Sequence, residues 1–310
     1  MSASGLASRF AGFSRSSGGG NALAGIALTL LSTFVFSLSN ALAKHMMQAG
    51  YPFGETVFVR SLTAMVLIAP MLRIGHLRRM LNGGKLWLHG VRCLFSAIEV
   101  CCYYWAITGA GLAEITTIYG AGPIYVTALS AILLREQVGW RRWTAVVAGF
   151  AGVLIAVHPQ SEFTGAGLNK HALMAVFGSL LYAISLIAVR RLRDTPNPLL
   201  VVTQVAALNV VSLATIPFGW KLPGPLDAAG LVMVGVVSTA GYILVTRGLQ
   251  LALASVVAPF SYASLVWAAV LGYLVFGDIP TAATILGAAV ICGAGLFILL
   301  RERTRAAGPG

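Results

Sequence analysis

Charged side chains sit inside largely apolar runs of this sequence, foremost Arg60, in a run that opens near residue 54, and Glu99, in a run that opens near residue 86. A carboxylate inside hydrocarbon is costly, so by default it marks a function: it can carry a proton or hold an ammonium group. A guanidinium is planar and suits two-pronged recognition of a carboxylate. If both runs are helices rising about 1.5 Å per residue, Glu99 lies about 13 Å from the end of its run. Arg60 lies about 9 Å from the start of its own, and successive runs cross in opposite senses, so the two depths nearly match. Two readings of the pair stand. In one, Arg60 takes a substrate carboxylate while Glu99 takes an amine or a proton; in the other, the two form a bridge that fixes helix packing. Lys44, near the end of the first run, either joins them or snorkels to the interface. Arg92, Glu99 and Tyr103 recur at i, i+7 and i+11 and so share one helix face. Arg92 also fits an interfacial position.

Aromatic and amide side chains supply the next candidates. Tyr103, Tyr104, Trp105, Tyr119, Tyr182, Tyr242, Tyr262 and Trp267 all fall in or beside apolar runs. Such rings offer an apolar wall with a hydrogen-bonding tip, and they also serve as packing or interfacial anchors. Tyr119 and Tyr262 stand out, because Pro123 and Pro259 lie close by and interrupt helical hydrogen bonding. Asn40, Gln204 and Asn209 are intramembrane amides that either orient a ligand or bond helix to helix. The candidate substrate set is therefore Arg60, Glu99, Tyr103, Tyr119, Tyr262, Asn40, Lys44, Gln204 and Trp267, with Glu99 as the proton-coupling candidate.

Catalytic constellations are not evident. His45, His76, His89, His158 and His171 are scattered without metal-ligand spacing, and Cys93, Cys101, Cys102 and Cys292 fall inside apolar runs, where a thiol packs as a small hydrophobe. The phosphate-cradling pattern of nucleotide hydrolases does not occur. No metal, no cofactor and no enzymatic activity are expected, and no filter segment argues for a channel.

These residues must be positioned by membrane helices. The chain is 58% hydrophobic and only 10% charged, against roughly 25% charged in soluble proteins. Its long apolar runs do not alternate, which favours helices over a barrel. Ten spans are expected, near 22–46, 54–74, 86–108, 113–134, 142–158, 168–190, 198–218, 226–248, 252–275 and 281–300. Gly- and Ser-rich residues 1–20 read as a disordered tail, and the first span as an uncleaved helix, not a signal peptide. A net charge of +12 on its own suits a nucleic-acid partner, but the basic residues segregate by side. Arg9, Arg15, Arg73, Arg78, Arg79, Lys85, Arg135, Arg141, Arg142, Arg190, Arg191, Arg193, Arg247 and the Arg301–Arg305 tail share one side. Lys44, Lys170 and Lys221 lie on the other. The positive-inside rule puts both termini in the cytoplasm and leaves the bilayer, not nucleic acid, as the partner.

The chain also repeats itself. Residues 106–157 and 248–299 share one layout, with Glu136 and Asp278 as register marks 142 residues apart. Five spans per copy force the second copy to cross in the opposite sense, the arrangement that supports alternating access. Glu136 and Asp278 themselves read as structural residues at helix ends. Asn40-Ala41-Leu42-Ala43-Lys44, Phe58-Val59-Arg60-Ser61, Tyr104-Trp105-Ala106-Ile107, Gly122-Pro123 and Leu134-Arg135-Glu136 together resemble the drug/metabolite transporter superfamily, in particular its ten-helix EamA-type members. Asp278 stands where the second half of that family usually carries Glu. The resemblance implies an all-α integral membrane fold: ten transmembrane helices in two inverted five-helix repeats around a central cavity. The divisions expected are a tail at 1–20, repeats at 21–160 and 161–301, and a tail at 302–310. It further implies a secondary transporter in a bacterial-type inner membrane that exports amino acids or amino-acid-like compounds. The alternative is uptake of a vitamin, a nucleoside-like compound or an amino-acid conjugate. Proton coupling and oligomeric state stay open.

Overall fold

The computed structural model describes residues 18–69, 86–133, 139–157, 169–192, 197–251 and 257–306. Among these the regular elements are all helical. In chain order they are α1 (Gly18–Gln48), α2 (Phe53–Ile68), α3 (Leu86–Gly109), α4 (Leu112–Gly120), α5 (Gly122–Leu133), α6 (Trp140–Val157), α7 (Lys170–Arg191), α8 (Asn197–Leu213), α9 (Pro225–Leu251), α10 (Ala263–Phe276) and α11 (Ala282–Ala306). A 3-10 turn follows α8 at Ile216–Phe218, and another, Ala258–Tyr262, leads into α10.

The helices account for ten spans, because α4 and α5 together make the fourth. Four stretches are long and apolar enough to cross a bilayer on their own: Leu23–Gln48, Leu86–Gly109, Lys170–Val189 and Pro225–Leu251. Two of the other spans, the fourth and the ninth, are interrupted at prolines. Pro123 has no N–H to return to the preceding turn, so α4 stops at Gly120 and α5 restarts at Gly122. Pro259, the other proline expected to interrupt a helix, sits in the 3-10 turn that leads into α10. At the termini helix extends further than expected: α1 begins at Gly18 and α11 continues to Ala306, through residues read as tails. The spans expected to reach residue 74 and to start at 252, together with Glu136, lie partly or wholly outside the described residues.

Lipid offers no hydrophobic drive for one apolar helix to join another, so close packing depends on small residues. A Cβ at Gly235 in α9 would lie 2.8 Å from the carbonyl oxygen of Arg60 in α2. One at Gly248 would lie 3.0 Å from that of Gly25 in α1, and one at Gly287 in α11 would lie 2.7 Å from that of Gly152 in α6. The extensive pairings are α1 with α9, α3 with α7, and α6 with α11, while α2 packs on both α8 and α9 and α3 packs on α8. Val57, Ala97, Ile107, Leu112, Ile118, Ile124, Leu231, Val234 and Ile291 are fully enclosed in one core. Leu154, Val266 and Leu274 face outward, as a surface meant for acyl chains requires.

Candidate functional site

Helices α2, α3 and α4 bring the charged residues together with aromatic rings. Glu99 is buried at the middle of α3, and its backbone carbonyl accepts the Tyr119 hydroxyl of α4 at 3.2 Å. The guanidinium carbon of Arg60, on α2, lies 5.3 Å from the centre of the Tyr104 ring, a cation–π contact. Arg60 and Glu99 are near enough for their charges to interact, yet they form no direct ion pair. The Nε of Arg60 is buried without a hydrogen-bond partner.

Beside this pair stands an aromatic cluster. The Tyr103 and Tyr119 rings meet edge to face with centroids 4.9 Å apart, and Tyr104 lies 6.0 Å from Tyr103. The Asn40 amide donates to the Tyr103 hydroxyl at 3.0 Å, and that hydroxyl lies 3.4 Å from Thr116 Oγ1. One network thus joins α1, α3 and α4. Tyr119 continues into a cavity of about 420 Å³, which Thr116, Pro123, Tyr182, Tyr262 and Leu265 also line. This lies within the size range of small-molecule pockets. The break between α4 and α5 borders it directly, so the proline that shortens the helix also shapes the cavity wall.

Two glycines make room for the tyrosines. A Cβ on Gly178 of α7 would collide with the Tyr119 hydroxyl, and one on Gly295 of α11 would collide with that of Tyr262. Each ring end therefore tucks into a notch on a neighbouring helix. The Tyr262 hydroxyl is buried there without a partner.

A second, smaller cavity of about 100 Å³ lies between α2, α8 and α9. Arg60, Ser61, Gln204, Ser238, Thr239 and Tyr242 supply its polar wall. Arg92 stands behind Gln204. It is 1% exposed, and its Nη2 donates to Leu200 O at 2.9 Å, Thr203 Oγ1 at 2.7 Å and Cys93 Sγ at 3.2 Å. Its Nη1 lies 3.4 Å from Gln204 Oε1.

Lys44 does not join Arg60 and Glu99. Its Nζ donates to Asp278 Oδ2 at 2.7 Å and to Ala110 O at 3.0 Å, and it lies 4.8 Å from the centre of the Phe276 ring. The local backbone explains this. Gly277 takes a left-handed φ of 70°, and the N–H of Asp278 returns to Gly272 O at 3.1 Å, turning the carboxylate toward α1. Around the same end Tyr51 Oη donates to Asp227 at 2.7 Å, the backbone N–H of Lys221 donates to Glu55 at 3.0 Å, and Asn169 reaches Glu114 at 3.5 Å. The hydrogen bond to Asp227 pushes the Tyr51 phenol above its ordinary value. The starts and ends of alternate helices thus form one polar, cross-linked end of the bundle.

Of the residues proposed from sequence, Asn40, Tyr103, Tyr119 and Glu99 come together. Tyr262 faces Tyr119 across the larger cavity, and Gln204 joins Arg60 in the smaller one. Trp267 packs edge to face on Phe34 with its Nε1 buried and unpartnered, and it lines neither cavity. Sequence reading passed over Thr116, Ser61, Thr203, Ser238 and Thr239. Hydroxyl side chains within apolar runs were the only available signal.

An apolar exterior around an interior of charged, aromatic and amide groups defines a multi-pass membrane protein. The chain belongs to the EamA-like transporter family, whose pattern matches it twice, at residues 23–158 and 169–301. It is 29% identical over 271 residues to the pseudopaline exporter CntI of Pseudomonas aeruginosa, covering 86% of this chain and 93% of that relative. It is 28% identical over 285 residues to a riboflavin transporter of Vibrio cholerae, covering 89% and 93%. It is 24% identical over 283 residues to an S-adenosylmethionine uptake transporter of Rickettsia felis, covering 91% and 94%. A solved crystal structure shares the fold with a TM-score of 0.58 at 21% identity, covering 89% of this chain and 98% of that one. The chain is a membrane transporter of small molecules.

Proposed function

We propose that this protein is a secondary transporter that exports amino acids or amino-acid-like compounds across a bacterial inner membrane by alternating access. The observation that carries this reading is the placing of Arg60 and Glu99 beside the Tyr103–Tyr119 cluster, close enough to interact but not bonded to each other. Opposite charges held apart suit the carboxylate and ammonium of one zwitterion, and the 420 Å³ cavity suits its side chain. Glu99 is also the proton-coupling candidate. The bundle's contacts support two inverted halves: α1 of the first half packs on α9 of the second, and α7 packs on α3 in the matching way. Both termini are assigned to the cytoplasm by the asymmetry of basic residues. The polar end at Lys44 and Asp278 then faces outward and is cross-linked, while the small cavity extends along α2 to Ile68, toward the cytoplasm.

Efflux of labelled amino acids from overexpressing cells, together with growth on a panel of toxic analogues, tests the reading. Faster efflux and raised resistance for at least one analogue are expected. A second reading, uptake of a vitamin or amino-acid conjugate, draws on the riboflavin and S-adenosylmethionine relatives. It takes over if no analogue responds and such a compound accumulates inside.

A further inference from the structure

Charge does not balance in the middle of this bundle. Between the two ends, the described helices hold three charged side chains: Arg60, Arg92 and Glu99. Lys44 is neutralised by Asp278, the one ion pair among the described residues. Glu99 can offset a single guanidinium, so one positive charge is left over. It cannot be shed, because arginine stays protonated in proteins.

The surplus charge adjoins a cavity. The bonds Arg92 makes are all to neutral acceptors, Leu200 O, Thr203 Oγ1, Cys93 Sγ and Gln204 Oε1, and its Nε is buried unpartnered. Its bond to Gln204 is the longest to oxygen, at 3.4 Å, and Gln204 is the residue that stands between Arg92 and the 100 Å³ cavity. Across that cavity the Nε of Arg60 is also unpartnered. Ser61, Ser238 and Thr239 donate their hydroxyls to carbonyls of their own helices, so none of them supplies a negative charge. At about 30 Å³ per water, the volume accommodates a carboxylate with a methylene or two, not a whole metabolite.

We propose that the cavity between α2, α8 and α9 is an anion subsite, set by Arg60 on its wall and Arg92 behind Gln204. The transported class is then amino acids or conjugates that carry a second acidic group. This rests on the reading of Arg60 and Glu99 as a zwitterion site and adds the charge the substrate must bring. The body of the substrate lies in the aromatic cavity, and its extra carboxylate enters the small one. There it displaces the weak Gln204 contact and gives Arg92 a charged acceptor, while Arg60 on the cavity wall keeps the substrate's first carboxylate.

The test uses the full-length protein in detergent at constant ionic strength, with thermal midpoint as the readout. The probes form two pairs, glutarate against glutaramide and L-glutamate against L-glutamine. Each acid is expected to stabilise the protein with an apparent affinity roughly tenfold better than its neutral counterpart. Gln204→Glu places a carboxylate beside Arg92, where it adds a favourable pairing and so should not impair folding. In that variant the acid preference should disappear. Equal stabilisation by acid and amide in the wild type, or a preference that Gln204→Glu leaves unchanged, overturns the subsite. The outcomes also separate this inference from the zwitterion reading. Stabilisation by glutarate with no response to any amino acid keeps the subsite and removes the zwitterion site; response to both amino acids without acid preference does the reverse.

Discussion

Lys44 and Asp278, 234 residues apart in the chain, meet at 2.7 Å and tie the last turns of α1 to the turn after α10. Lys44 is almost wholly enclosed, whereas the Asp278 side chain keeps 35% exposure. Removing one partner strands a buried ammonium or opens the turn, at a cost of about 2 kcal/mol for a charged hydrogen bond. Lys44→Ala and Asp278→Asn should each lower the thermal midpoint of the purified protein. The double mutant should lose clearly less than the sum of the singles. Strict additivity would show that the pair is not coupled. If this end closes the transport path, Asp278→Asn should also change the rate of substrate exchange in proteoliposomes.

Glu99 lies at the centre of the site, so Glu99→Gln should cut transport at least tenfold while expression falls much less. Arg60→Lys keeps the charge and loses the planar fork, and should weaken substrate affinity more than maximal rate. Transport assays normalised to membrane protein content check both. Normal transport by Glu99→Gln would leave the pair only a packing role.

Gly178 and Gly295 hold the notches for Tyr119 and Tyr262. Alanine at either position overfills its notch, with an expected destabilisation of about 1–3 kcal/mol. Much of that strain involves the tyrosine hydroxyl, so Tyr262→Phe should recover part of the stability lost in Gly295→Ala. Recovery stays partial because the new Cβ would still lie 2.7 Å from the ring carbon that bears the hydroxyl. Thermal midpoints of the two single variants and the double variant decide the matter.

Reporter fusions test orientation. A fusion after Arg79 should report cytoplasm, and one in the 219–224 segment, just ahead of α9, should report the exterior. The opposite signal at either point would reverse the assignment of the Lys44–Asp278 end.

Much of this architecture follows from sequence alone. Ten apolar runs dictate ten spans, since an unpaired backbone cannot cross lipid. The prolines mark where spans four and nine depart from regular helix. The rarity of ionisable groups inside the runs singles out Arg60 and Glu99, because burying charge is too costly to be incidental. What sequence could not supply is how each helix is rotated about its axis. These helices are apolar on nearly every side, so periodicity offers little sign of which face turns inward. Only the tertiary structure pairs Lys44 with Asp278 instead of Glu99, sinks Arg92 between α3 and α8, and divides Arg60 and Tyr119 between two cavities. Those contacts depend on helix crossings, and backbones approach closely at the crossings where glycine leaves room.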